Sequence, residues 1–139
     1  MNSQQKKNNP AVKIGVITAI LALLVLMFLM LPKGFKDDLS LIGQGSVSVV
    51  LTHDKNLLDS TRMMEVMNKV RSGYEGKVQF LAVDVVTPVG QGFVRDQRVG
   101  SISLVIFGSD GQRLQLLDNR VTEQSLRATL DGILAKAGG

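Results

Sequence analysis

The run Val78–Phe107, VQFLAVDVVTPVGQGFVRDQRVGSISLVIF, holds two apolar, β-branched stretches around a broken middle. Val78 to Val86 is too continuously hydrophobic for a strand with one wet face, and Leu104 to Phe107 has the same character. Both read as central strands covered on two sides, and such strands are usually parallel. Parallel neighbours need a crossover, and Pro88 to Gln97 is long enough for a short helix, with proline acceptable in its first turn. The unit reads as β-α-β, with Val83 and Val105 buried on adjacent parallel strands.

Working outward, Gly108-Ser109-Asp110-Gly111 is a hairpin signal, so Arg113 to Leu117 should return antiparallel as an edge strand. Thr122 can cap a last helix whose Leu126, Leu130, Ile133, Leu134 and Ala137 share the face that covers the sheet. Upstream, Val47 to Thr52 reads as a strand ending at His53-Asp54. Asn56 to Ser60 offers polar caps to an amphipathic helix with Met63, Val66, Met67 and Val70 inward, closing near Gly73.

The N-terminal part has a different character. Met1 to Lys13 is polar and reads as a disordered tail. Ile14 to Leu31 carries no charged residue and approaches the length that spans a bilayer core. No small-residue cleavage site follows it, which favours a retained anchor over a signal peptide. Lys6, Lys7 and Lys13 then place the N-terminus in the cytoplasm, and the chain after Pro32 outside it, in the periplasm of a bacterium. The expected divisions are a tail at 1–13, a transmembrane helix at 14–32, a linker at 33–45 and a domain at 46–139.

Composition excludes several classes of activity. The formal charge is +4, but from Lys33 onward basic and acidic residues nearly balance, and aromatic residues are 4% of the chain. That leaves neither the clustered charge nor the stacking platforms that nucleic-acid binding needs. With no cysteine there is no disulfide, thiolate or cysteine-ligated metal, and a single histidine argues against a transition-metal site. No cofactor is expected.

The order β-α-β-α-β-β-α, with FLAVDV as a strand ending in an acid and VGSISLVIFGSDGQRL as two strands around a glycine-containing turn, resembles the thioredoxin family from about Val47 to Leu134. The resemblance implies an α/β fold, a three-layer α/β/α sandwich, preceded here by the transmembrane helix. The family's two cysteines would fall at Leu57 and Ser60, and its cis-proline at Ile102. Lacking both features, the domain would be redox-inert rather than an oxidoreductase. Leu57, Leu58, Ser60, Gly100, Ser101 and Ile102 would then form a surface suited to a protein partner or a neighbouring subunit.

Other residues invite chemical readings that have plainer alternatives. His53-Asp54 stands where open α/β sheets bind ligands and could supply an acid and a base for a non-thiol enzyme, yet adjacent residues on an extended segment point apart. Ser60 lacks a nucleophile-elbow sequence and reads as a helix cap. Gly43-Gln44-Gly45 and Gly90-Gln91-Gly92 match no phosphate-binding motif and read as turn glycines. Met63 and Met67 read as core, leaving the exposure of Met64 as the informative feature. The expected function is binding or assembly outside the cytoplasm, as a free-standing module or as a structural subunit of an envelope complex. No residue is assigned to catalysis or to a metal.

Overall fold

The computed structural model describes residues 9–31 and 33–138. The chain divides into two units, 1–33 and 34–139.

In the first unit α1 spans Pro10–Leu29, with proline at its first position, where a missing N–H costs nothing. Residues 10–13, read above as tail, therefore form the opening turn of the helix; residues 1–8 lie outside the described part. At 20 residues the helix is long and apolar enough to cross a membrane. Its polar Thr18 donates its hydroxyl to the Ile14 carbonyl at 2.9 Å, which satisfies the group within the helix.

The second unit contains β1 (Val47–His53), α2 (Leu58–Arg71), β2 (Val78–Asp84), α3 (Pro88–Gln97), β3 (Ser103–Phe107), β4 (Arg113–Leu117) and α4 (Glu123–Ala137). The four strands form one mixed sheet in the order β2-β1-β3-β4. Here the structure corrects the sequence reading. The strands carrying Val83 and Val105 are not neighbours: β1 lies between them, parallel to β2 and antiparallel to β3. Continuous hydrophobicity reports that both faces of a strand are covered, and carries no information on direction. β2 is in fact an outer strand, joined beyond its edge by a single parallel bridge in which the Ala82 N–H donates to the Lys36 carbonyl at 2.9 Å. It also ends two residues early, because Asp84 turns its side chain onto the Val86 N–H and Thr87 caps α3.

Alternation along the strands divides the core into two layers. Val47, Val49 and Leu51 face α2 and α4, packing on Met63, Met67, Val70, Leu126 and Leu130. Val50, Val83 and Val105 face the other way, onto Phe93 of α3, with Leu39, Leu41 and Ile42 completing that layer. Each fully buried aliphatic side chain contributes on the order of 1.5–3 kcal/mol, so these two layers hold the sandwich. Ile133 and Leu134 are half-buried, whereas Ala137, expected on the same face, is exposed. Residues Phe35–Ile42, within the stretch read as linker, pack on the domain. Phe35 lies against the α2 layer, with the Arg71 guanidinium 4.9 Å from its ring centre.

Local sequence explains most element ends. Thr122 and Ser125 form a reciprocal cap for α4, and the Thr87 hydroxyl accepts the Gly90 N–H for α3. Gly90 is a packing residue within α3 rather than a turn glycine, since a Cβ there would overlap the Asp84 carbonyl. In the Gly108–Gly111 hairpin Gly111 takes φ +83°, and β4 carries a bulge between its pairings to Ile106 and Phe107.

Candidate functional site

The β1–α2 junction carries three of the positions singled out above, Leu57, Leu58 and Ser60. Leu57 is the extended residue before α2, and no side chain caps that helix. Ser60 neither caps it nor faces solvent: it is 3% exposed, and its Oγ accepts the backbone N–H of Asp54 at 2.9 Å. Leu57 is 42% exposed and Leu58 is 90% exposed. The loop ahead of β3 is tied to the same end of β1 by the buried Thr52. Its hydroxyl donates to the Gly100 carbonyl at 3.0 Å and accepts the Ser103 N–H at 2.9 Å. Gly100 and Ser101 are exposed, while Ile102 is half-buried against the core. Among the described residues no peptide bond is cis.

His53 and Asp54 diverge, as expected of adjacent residues on a strand. Asp54 turns back onto its own loop, where Oδ1 accepts from the Asn56 backbone N–H at 2.9 Å and from Asn56 Nδ2 at 3.0 Å. His53 is opposite Asp84 in the parallel register and opens into a cleft of about 670 Å³. Its polar lining is Asp37, Asp38, His53, Asp84 and Thr87; its apolar lining is Phe35, Met64, Ala82, Val83 and Val89. Asp54 is not part of it, nor are Leu57, Leu58, Ser60, Gly100, Ser101 or Ile102. The half-buried Met64, neither core nor free surface, is a wall of this cleft.

The cleft is electrostatically uneven. The Asp84 side chain is 10% exposed, with Oδ2 3.0 Å from the Lys55 ammonium. The Val86 N–H, followed by Lys55, holds the Asp84 carboxyl below the usual carboxylate range. Asp38 is likewise held low, by the hydroxyl and N–H of Ser40. Both are therefore ionised at neutral pH. Among the described residues no group of side chains is arranged to hold a metal ion. Sequence reasoning singled out His53 and the acid ending the second strand but did not assemble the cleft, because its walls come from five parts of the fold.

No protein-family model matches the chain, and no curated protein matches it in sequence. Solved structures do match. A solution structure of an uncharacterised thioredoxin-like protein from Clostridium perfringens has a TM-score of 0.62 at 10% identity, covering 70% of this chain and 78% of that one. Thioredoxin-2 of the malaria parasite, described as a component of its protein secretion machinery, gives 0.58 at 19% identity over 63% and 82%. Another solved structure, of a malarial protein, gives 0.57 at 20% identity, covering 64% of this chain and 98% of that one. At these identities the likeness shows the fold alone. The domain has a thioredoxin-like fold, with helices on both sides of a four-stranded mixed sheet. With no cysteine, these 139 residues offer no thiol for disulfide exchange.

Proposed function

We propose that the protein is a membrane-anchored, redox-inactive thioredoxin-like module that binds a protein partner outside the cytoplasm. The observation that carries this reading is Leu58, 90% exposed beside Leu57 at the start of α2. In the resemblance set out above, Leu57 and Ser60 take the places of the thiols. An exposed leucine there has no role in packing among the described residues of the domain, and burying it in a partner is favourable by roughly 1.5–3 kcal/mol before ordering costs. Gly100 and Ser101 extend the surface; Ile102, half-buried, is the poorer probe of it. The Lys6 and Lys7 charges ahead of the apolar helix, with Lys13 in its opening turn, support a cytoplasmic N-terminus and a periplasmic or otherwise extracytoplasmic domain.

The partner contact and the topology are tested separately. A photo-crosslinking residue at position 58 in intact membranes should capture a discrete partner, and Leu58→Asp should abolish that partner's binding while leaving the melting temperature unchanged. Unaltered binding by Leu58→Asp moves the contact surface elsewhere. Reporter fusions after Gly139 should be active only in a form that works after export, and a mature protein beginning after Pro32 would remove the anchor.

A further inference from the structure

The His53 cleft is separate from the Leu58 surface: it is walled by β2 and the Phe35–Asp38 segment, whereas Gly100 to Ile102 lead into β3. Its lining combines an apolar wall with three carboxylates, those of Asp37, Asp38 and Asp84. Lys55 makes the single ion pair to any of the three among the described residues, although the Lys36 charge also acts on Asp38.

Lys55 shows what the buried carboxylate accepts. Asp84 Oδ1 is occupied by the Val86 N–H at 3.1 Å, while Oδ2 has the Lys55 Nζ at 3.0 Å as its counter-charge. The Lys55 side chain is itself largely exposed, so it is a counter-charge for which an incoming cation can exchange, the acid staying paired throughout. A buried carboxylate needs such a partner, because a charge withdrawn from water without one is strongly disfavoured. Phe35 and Met64 supply a flat ring and an adaptable thioether, which accommodate an alkyl stem without demanding one shape.

We propose that this cleft binds a primary ammonium or guanidinium group carried on an apolar stem, with Asp84 and Asp37 receiving the charge and Phe35 and Met64 flanking the stem. The same chemistry is presented by a free alkylamine and by a lysine or arginine side chain of a polypeptide.

The test uses the full chain in detergent micelles, with ¹³C-labelled methionine methyl groups and the His53 ring proton observed by NMR. The probes are n-butylammonium chloride and a lysine-centred blocked pentapeptide; n-butanol and sodium chloride at matched ionic strength are the controls. Both probes should shift Met64 and His53, and the controls should not. The tighter probe identifies the source of the cation. Asp84→Asn and Asp37→Asn should each weaken binding about tenfold, the scale of one charge-assisted hydrogen bond. Lys55→Met should tighten it, by removing the competing ammonium. If Asp84→Asn does not fold, the exposed Asp37→Asn carries the test alone. Equal shifts with n-butanol or sodium chloride, unchanged affinity in the aspartate variants, or weaker binding by Lys55→Met overturns the proposal. Its failure leaves the Leu58 reading intact, because no Leu58-surface residue lines the cleft.

Discussion

Ser60 Oγ accepts the backbone N–H of Asp54 at 2.9 Å, six residues back along the chain and across the turn that presents Leu57. The bond is partly buried, with Ser60 itself inaccessible, and it sets the path of the loop between β1 and α2. Ser60→Ala should leave the Asp54 N–H without its partner and cost about 1–2 kcal/mol, read by thermal or urea unfolding. The pair Leu57→Cys and Ser60→Cys tests the alignment directly. Mild oxidation should close a disulfide, seen as a two-proton mass loss, and a pair that stays reduced would misplace the thiol positions.

Val83 and Val105 lie in one core layer without being neighbours, since β1 separates their strands. Each is about fully buried, so truncation to alanine should cost about 2 kcal/mol as methyl contacts are lost and a cavity remains. A loss below about 0.5 kcal/mol at either site would be surface behaviour and would contradict the layer assignment.

Tyr74 donates its hydroxyl to Asp131 at 2.7 Å, with the Arg127 carbonyl a second, longer acceptor at 3.2 Å, joining the turn after α2 to α4. Burial, then the Asp131 carboxylate, raises its ionisation above the ordinary phenol value. A group that holds its proton more tightly when folded contributes stability that is complete below the unfolded value and lost as pH rises through the folded one. Stability should therefore fall on raising the pH above about 10. Tyr74→Phe should cost about 1 kcal/mol at neutral pH and flatten that alkaline limb; an unchanged limb in the variant would locate its source elsewhere.

The residues that made the fold legible are those acting on their immediate neighbours. Pro88 starts α3, Thr122 starts α4, and the apolar period of Met63, Met67 and Val70 orients α2. Strand direction was not legible, because the same Val-rich run serves a parallel or an antiparallel ladder. The α2 start was also misread. Its polar flank does not cap the helix, and Ser60 instead bonds backward to Asp54. The cleft was legible only as fragments. His53 and the acid at Asp84 were noticed singly, but nothing local places them opposite each other, or brings Phe35 and Asp37 to the same spot.

Both outer strands of the sheet carry features that interrupt further pairing, and by different means. On β2 the Lys36 carbonyl already takes the Ala82 N–H. On β4 the bulge breaks the regular ladder, while Arg113 reaches over to the Gln97 carbonyl at 2.6 Å and sets a charge on the rim. Exposed strand edges are templates for runaway sheet growth, and the hazard rises with local concentration. In the anchored state proposed above, the domain would diffuse in two dimensions among its own copies. Blunted edges let such a population stay crowded without polymerising, leaving side-chain surfaces rather than backbone as the means of contact.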